Sequence, residues 1–310
     1  MKLAKTLTSV SLIALSALTL AACGNADNAK DSSSKTSSSK VEKKSSSSKK
    51  EETTEAKQTA GGALQDGTYK LEELGFSHGY KVDMSMTVAD GKVTKTTYDY
   101  KDKDGKSKTE DTEYEKSMKA KSGTGPAEYI PALNDAFTKN GSNVAGIEVV
   151  SGATESSQSF KNYAQQLVQA AQAGKTDTIQ IHNTDKMKDG TYTLEEKNYS
   201  HGYRTTFTIV VAGGKITESK FDNVDKDGKS KTKDADYEKS MKKVNGVGPA
   251  EYTPKLNEEL VKTQNPADVD VVSGATHSSG SFILYAEQLI NAAQAGNTAK
   301  IEVDNIVFAE

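Results

Sequence analysis

The sequence predicts an α+β fold, arranged as two tandem copies of an antiparallel-sheet domain with packed helices after a disordered tether. Three observations lead to this prediction. Six short motifs occur twice, about 120 residues apart, which indicates a duplicated domain. In each copy the strand patterns come first and the helical patterns follow, as in α+β domains. A polar segment near the N-terminus has almost no residues that could form a core.

Composition excludes some classes of function. The chain has 310 residues, a formal net charge of −3, no Trp and one Cys. Such a weak charge gives no field that would attract nucleic acid, so we expect no nucleic-acid partner. With four His and no second Cys, we also expect no transition-metal site.

The N-terminus has the features of an export signal. Lys2 and Lys5 precede an apolar run from Val10 to Leu20, and Leu20-Ala-Ala-Cys23 follows. This ending resembles the lipobox of bacterial lipoproteins, which implies a signal peptide over residues 1–22 and a lipid on Cys23. The alternative is an ordinary secretory signal with an incidental cysteine.

Residues 23–62 are predicted to be the lipidated cysteine and a disordered tether. The segment is rich in Ser, Lys, Glu and Thr, and it cannot bury enough apolar surface to offset the entropy of ordering. A coil of about forty residues has a typical reach of roughly 35 Å. Two domains follow, over residues 63–182 and 183–310.

The two domains share their motifs in the same order. The pairs are Asp66-Gly-Thr-Tyr69 with Asp189 to Tyr192, Ser77-His-Gly-Tyr80 with Ser200 to Tyr203, Asp102 to Thr109 with Asp225 to Thr232, Tyr114 to Met118 with Tyr237 to Met241, and Gly125 to Tyr129 with Gly248 to Tyr252.

Alternating polarity predicts the strands, and glycine-containing turns separate them. In the first copy we expect strands over 68–71, 80–88 and 92–100, with a turn at Asp90-Gly91. The second copy repeats this pattern over 204–211 and 215–221, around Gly213-Gly214. Helices are predicted over 114–119 and 126–139, and a last helix ends at Gly174 or Gly296.

The sixth motif is Glu148-Val-Val-Ser-Gly-Ala-Thr154, which returns as Asp270 to Thr276. We expect Ile147 to Val150 and Val269 to Val272 to form short buried strands, each followed by the last helix. That helix has one apolar face, made by Phe160, Tyr163, Ala164, Leu167 and Ala171, and by Phe282, Tyr285, Ala286, Leu289 and Ala293. Thr154 and Thr276 would then lie where a strand ends and a helix begins.

A helix start has unpaired N–H groups and a positive dipole end, so it stabilises an anion. Small residues, Gly152 with Ala153 and Gly274 with Ala275, would let a large group approach each threonine. The alternative is that Ser-Gly-Ala-Thr is only a helix N-cap, since Ser and Thr are preferred there.

The chain resembles the FMN-binding domain family in three features. These are Ser-Gly-Ala-Thr, the acidic residue three positions before its serine, and the Asp-Gly-x-Tyr strand opening. That family includes covalently flavinylated subunits of bacterial sodium-pumping and Rnf-type redox complexes. Two such domains behind a lipobox and a tether resemble the flavinylated lipoproteins of extracellular electron transfer in Gram-positive bacteria.

The resemblance implies that a Mg²⁺-dependent flavin transferase moves FMN from FAD onto Thr276 and Thr154, which leaves two phosphoester-linked FMN groups per chain. The remaining motif residues implied at the two sites are Ser273, Gly274, Ala275 and Asp270, and Ser151, Gly152, Ala153 and Glu148. The first copy departs from the family pattern, because Glu148 replaces the usual Asp.

Three further motifs have two interpretations each. His78, Tyr80, His201 and Tyr203 would contact the flavin ring, or make structural hydrogen bonds at strand ends. The Gly-x-Gly-Pro-Ala-Glu-Tyr segments would approach the flavin, or form a turn with Pro at the start of a helix. Asn223, Asp225 and Asp227 have the spacing of the first ligands of a calcium loop, but a lysine-rich turn fits better because position twelve is Asp234 and not Glu.

The function expected from this resemblance is electron transfer, not transformation of a bound substrate. The carrier would be anchored by lipid to the outer face of a Gram-positive cell membrane. It would take electrons from a quinone-linked membrane donor and pass them to external acceptors such as ferric iron. The alternative is a ligand- or wall-binding lipoprotein that uses the duplicated α+β module without flavin.

Overall fold

The computed structural model describes residues 61–308. The predictions for the signal peptide, Cys23 and nearly all of the tether lie outside these residues. No helix within the described part of the chain is long and apolar enough to cross a membrane.

The first copy contains four strands and three helices. The strands are β1 (Gly67–Glu73), β2 (Lys81–Ala89), β3 (Lys92–Lys101) and β4 (Ile179–Ile181), and the helices are α1 (Thr112–Ser122), α2 (Pro126–Asn140) and α3 (Thr154–Ala173). In the second copy the strands are β5 (Gly190–Glu196), β6 (Arg204–Ala212), β7 (Lys215–Val224) and β8 (Ile301–Val303), and the helices are α4 (Ala235–Asn245), α5 (Pro249–Thr263) and α6 (Thr276–Ala295).

Each copy has one four-stranded sheet, in the order β3-β2-β1-β4 and β7-β6-β5-β8. This confirms the α+β class and the duplicated domain. One detail of the prediction is wrong, because the sheets are mixed. The segment after α3 adds β4 parallel to β1, with Leu71 opposite Ile179.

One face of each sheet is buried and the other is open. In β1 the side chains of Tyr69, Leu71 and Glu73 point inward, as the period of two requires. Hydroxyl pairs such as Ser85 with Thr97, 2.6 Å apart, lie on the outer face. The helices α2 and α3 cover the inner face. The core is therefore one helix layer on one sheet.

The aspartate of the Asp-Gly-Thr-Tyr motif binds the turn of the neighbouring hairpin. Asp66 accepts hydrogen bonds from the backbone N–H groups of Asp90 (3.1 Å) and Gly91 (2.9 Å), which form the predicted β2–β3 turn. Asp189 accepts the equivalent bond from Gly214 at 2.9 Å. The motif therefore fastens the hairpin to the start of β1 or β5.

The last helix of each copy is as predicted. Phe160, Ala164 and Leu167 are fully buried in the first copy, and their counterparts are equally buried in the second. Gly174 and Gly296 end α3 and α6 in the left-handed conformation, with φ of 65° and 73°.

The predicted strand before this helix is wrong. Ile147 and Val269 have extended backbone, but residues 147–150 and 269–272 pair with no strand. Ile147 is buried in the core, whereas Val149, which would share its face in a strand, is 44% exposed. Val271 is likewise 55% exposed. The threonines therefore follow an extended loop.

Candidate functional site

Thr154 and Thr276 are the first residues of α3 and α6, and both side chains are exposed. The N-cap residue is an alanine in each copy, so no side-chain oxygen of that residue accepts a hydrogen bond from the first turn. The interpretation of Ser-Gly-Ala-Thr as a side-chain cap is therefore wrong. The first turn keeps N–H groups directed at the threonine end, where an anion is favoured.

A buried serine one turn into the helix fixes the loop that precedes it. Ser279 Oγ accepts a hydrogen bond from the Val272 N–H and donates one to the Ala275 carbonyl, both at 3.0 Å. Ser157 makes the same two bonds in the first copy, at 3.0 and 2.8 Å. The threonine thus has a rigid support, although this serine was not among the predicted site residues.

The motif glycine makes a close backbone contact. Gly274 has φ +81°, and a Cβ added there would lie 2.1 Å from the carbonyl oxygen of Asn245, the last residue of α4. In the first copy a Cβ at Gly152 would lie 2.1 Å from the Ser122 carbonyl oxygen. Only glycine permits this approach, which packs the motif loop against the end of the neighbouring helix.

The motif alanines are small for a reason other than access. Ala153 and Ala275 are 4% and 3% exposed, and their methyl groups belong to the two cores. Their size follows from packing and carries no information about approach to the threonine hydroxyl.

A cavity of about 640 Å³ opens beside Thr276. This lies within the range of ligand sites, about 300–1,000 Å³. Five predicted residues line it: His201, Tyr203, Gly274, Ala275 and Thr276. The fold thus brings the Ser-His-Gly-Tyr and Ser-Gly-Ala-Thr motifs together.

Four other predicted residues do not contribute side chains to the core. Glu148, Ser151, Asp270 and Ser273 are all exposed. The Asp270 backbone N–H donates to Glu259 Oε2 at 3.0 Å. Asp270 itself is exposed at the surface. These positions are open to another protein.

The Ser-His-Gly-Tyr motifs form tight turns. His201 and Gly202 have φ of 52° and 83° in the turn that joins Ser200 to Tyr203, and His78 and Gly79 repeat this geometry. Ser200 Oγ and His201 Nδ1 are 3.1 Å apart. The histidine therefore has a local structural partner while its ring lines the cavity.

Tyr203 is held by a carboxylate at the start of α4. Its hydroxyl donates to Asp234 Oδ2 at 2.5 Å, and this bond raises the pKa of Tyr203 to about 12. Its ring meets Tyr237 edge to face at a centroid distance of 6.0 Å. Tyr80, Asp111 and Tyr114 have the same distances in the first copy.

A lysine that was not predicted from the sequence also belongs to this cluster. Lys231 Nζ lies 5.0 and 4.0 Å from the ring centroids of Tyr203 and Tyr237, and it lines the cavity. Lys108 is its counterpart in the first copy. Both lysines belong to repeated motifs, and that repetition was the signal that could have identified them.

A buried carboxyl group lies in the cavity wall and was also missed. Glu196 accepts hydrogen bonds from the Tyr285 hydroxyl (2.7 Å) and the Thr205 N–H (2.8 Å). Burial raises the pKa of Glu196. Glu73 makes the corresponding bonds with Tyr163 and Val82, at 2.6 and 2.9 Å.

Asn305 supplies a free acceptor in the same wall. Its Nδ2 donates to Asn198 O at 3.0 Å, and its buried Oδ1 has no hydrogen-bond partner among the described residues. A buried acceptor without a donor is costly, and a ligand N–H or O–H in the cavity would satisfy it.

The two remaining motifs form local turns. Pro249 is at the start of α5, and Glu238 Oε2 accepts a hydrogen bond from the Ala250 N–H at 2.9 Å, so the interpretation as a turn with a helix-starting Pro is confirmed. Asp225 Oδ1 accepts from the N–H groups of Asp227 and Lys229, at 2.9 and 2.8 Å, in a tight turn. No cluster of three or more metal-binding side chains occurs among residues 61–308.

Both copies match a known family, and one curated lipoprotein is similar in sequence. The profile of the FMN-binding domain matches residues 78–169 and 201–291, more than half of the chain. A 15 kDa lipoprotein of Treponema pallidum (strain Nichols) is 36% identical over 118 residues, which cover 38% of this chain and 83% of that protein.

Two solved structures are also similar. A Clostridium perfringens protein known from a crystal structure is 41% identical, covering 38% of this chain and 98% of its own, with a TM-score of 0.37. A Clostridium thermocellum protein studied by solution NMR is 27% identical, covering 35% and 93%, with a TM-score of 0.24. On the evidence of the two profile matches, this chain belongs to the FMN-binding domain family and carries two copies of its domain.

Proposed function

We propose that the chain is a lipid-anchored electron carrier on the extracytoplasmic face of the membrane, with FMN joined through its phosphate to Thr276 and Thr154. The observation that carries this proposal is the position of Thr276. It is an exposed hydroxyl at an uncapped helix start, and it opens on a cavity with aromatic, cationic and unpaired hydrogen-bonding groups.

The side chains present fit FMN. The N–H groups of the first turn of α6 suit a phosphate, and Tyr203 and Tyr237 supply aromatic surface for a flat ring system. Asn305 Oδ1 supplies an acceptor, and Lys231 supplies a positive charge.

Attachment requires an enzyme that reaches the threonine. A Mg²⁺-dependent flavin transferase would join Thr Oγ to the FMN phosphorus of FAD and break the P–O–P bond, so that AMP leaves and the hydroxyl loses its proton. Such a partner could reach both threonines, because Thr154 and Thr276 are exposed. Asp270 and Ser273, beside the second site, are exposed as well. A covalent bond prevents loss of the cofactor by dilution outside the cell.

Bound FMN supplies reversible uptake of electrons. The chain holds the cofactor, shields part of it and leaves the threonine end at the surface. We propose a quinone-linked membrane donor and external acceptors such as ferric iron. The lipobox at Cys23 and the name of the Treponema pallidum relative, a lipoprotein, support the membrane location, and we place it in a Gram-positive cell.

The alternative, a ligand- or wall-binding lipoprotein without flavin, rested on Ser-Gly-Ala-Thr as a helix cap. The alanine N-caps remove that support.

Intact mass tests the proposal. The chain is co-expressed with a flavin transferase of proven activity, beside Thr154→Ala, Thr276→Ala and the double variant. We expect a mass increase of two FMN groups in the parent chain, of one in each single variant and of none in the double variant. One increment, lost only in Thr276→Ala, would mean that Glu148 disables the first site. The absence of any increment would overturn the carrier proposal in favour of the binding module.

A further inference from the structure

A lysine occupies the same caged position in both copies. Lys108 is 7% exposed, and its Nζ lies 5.1, 4.6 and 4.1 Å from the ring centroids of Tyr80, Tyr100 and Tyr114. Lys231 Nζ lies 5.0 and 4.0 Å from the ring centroids of Tyr203 and Tyr237, the counterparts of Tyr80 and Tyr114. The third ring is absent in this copy because Asn223 replaces the tyrosine.

Neither lysine forms a direct ion pair among the described residues, although the charge of Lys108 opposes the rise in the pKa of the buried Glu73 carboxyl. No ion pair or hydrogen bond involves the Nζ of Lys108 or Lys231 within residues 61–308, although many surface lysines there form ion pairs. Removing a cation from water without a directly paired anion is costly, and contact with aromatic faces offsets only part of that cost. Lys231 is half-buried and lines the cavity beside Thr276, where an anionic group would complete the site.

This lysine lies at the end of the cavity far from Thr276. The side chains of Tyr237, Met241 and Asn245 all line the cavity, one turn of α4 apart. Gly274 contacts the C-terminal end of α4, whereas Lys231 precedes its N-terminus. Since α4 has 11 residues, the two ends are about 16 Å apart.

A ligand joined by its phosphate to Thr276 and extended along α4 would therefore bring its other end to Lys231. In FMN that other end is the isoalloxazine ring. Two-electron reduction with uptake of one proton leaves one negative charge on this ring, which supplies the missing anion.

We infer that Lys231 and Lys108 are positioned to stabilise the reduced flavin ring and thereby raise its reduction potential. The inference rests on the proposed function. The positive charge of the lysine stabilises the anionic reduced ring more than the neutral oxidised ring. Removing the lysine should therefore shift the equilibrium between the two forms toward the oxidised flavin. The first site should depend more on its lysine, because Lys108 is more buried than Lys231.

The test uses the full chain with one flavin site. Thr154→Ala leaves only the second flavin, and Lys231→Met is added to this parent. The matched control is Lys233→Met, which removes an exposed lysine two residues away. Intact mass gives flavin loading, and a dithionite titration against redox dyes gives the midpoint potential.

At a given potential, we expect loaded Lys231→Met to have at least a tenfold smaller ratio of reduced to oxidised flavin than the parent. For a two-electron couple this corresponds to a midpoint potential about 30 mV lower. Lys233→Met should match the parent, and Lys231→Arg should retain most of its potential. Equal potentials in Lys231→Met and the parent would overturn the inference and leave the proposed function intact.

Loading that fails only in Lys231→Met would also overturn it, because the lysine would then act in attachment. A parent without any FMN increment would overturn the proposed function itself, and this inference with it. The reciprocal experiment, Lys108→Met in a Thr276→Ala chain, should give the larger shift.

Discussion

The hydroxyl of Tyr203 donates a 2.5 Å hydrogen bond to Asp234 Oδ2, while Oδ1 of the same carboxylate accepts from the Tyr237 N–H at 2.9 Å and so caps α4. One aspartate thus joins the Ser-His-Gly-Tyr turn to the helix along the cavity. Tyr80, Asp111 and Tyr114 repeat the arrangement.

Removal of the Tyr203 hydroxyl should lower stability over a defined range of pH. The bond to Tyr203 lowers the pKa of Asp234 below 3.8, so its contribution is present above that pH and is lost as the pH falls through the folded-state pKa. The pKa of Tyr203 is raised from 10.0 to about 12, so the contribution is also lost as the pH rises across that interval. We expect the difference in melting temperature between the parent and Tyr203→Phe to be largest from about pH 4 to 10.

Tyr199→Phe is the control, since the Tyr199 hydroxyl makes no hydrogen bond within residues 61–308. A difference that is constant from pH 3 to 12 would contradict the assignment of the bond.

Gly274→Ala should be strongly destabilising. Its positive φ costs an alanine about 1–2 kcal/mol, and the added Cβ would lie 2.1 Å from a backbone carbonyl oxygen that cannot move freely. Gly246→Ala is the matched control, because φ is +79° there and no atom lies within 4 Å of the new Cβ. Urea unfolding should show a loss for Gly274→Ala that exceeds the control by at least about 1 kcal/mol. Equal losses would mean that the loop relaxes away from α4.

Ser279→Ala should loosen the motif loop. It removes the acceptor of the buried Val272 N–H, and an unsatisfied donor of this kind costs about 1–3 kcal/mol. Ser273→Ala, at an exposed position in the same loop, should leave the free energy of unfolding nearly unchanged. Hydrogen exchange at Val272 gives an independent readout, and unchanged protection there in Ser279→Ala would contradict the proposed support.

Stability should depend on Glu287 near neutral pH. Burial on α6 raises the pKa of Glu287 from 4.5 to about 7. Between these values the unfolded chain releases a proton that the folded chain keeps, so the free energy of unfolding falls as the pH rises, by ~1–3 kcal/mol. Glu287→Gln, which reproduces Gln165 of the first copy, should remove this fall and raise the melting temperature at pH 8.

Exposed Glu258→Gln is the control and should keep the parent's pH dependence. If Glu287→Gln and the parent have parallel curves from pH 4.5 to 8, Glu287 is not the titrating group.

Local patterns predicted most of the fold. The strands of the first hairpin, the turns at Asp90-Gly91 and Gly213-Gly214, and both C-terminal glycines follow from side-chain alternation and backbone preference. The strand predicted at Val149 failed because an apolar run of β-branched residues suits an extended loop as well as a strand, and here only some of its side chains reach the core. The parallel strand β4 escaped prediction because its three residues gain their structure only by pairing with β1.

The sequence by itself determined the duplication, the α+β class and the two threonines at helix starts, because these follow from repetition and from patterns within a few residues. Only the tertiary structure decided what surrounds each threonine. Lys231, Glu196 and Asn305 are far apart in the chain and meet at one cavity only after the sheet and helices pack. Burial, unpaired atoms and cation–aromatic distances arise from that packing, and no local pattern encodes them.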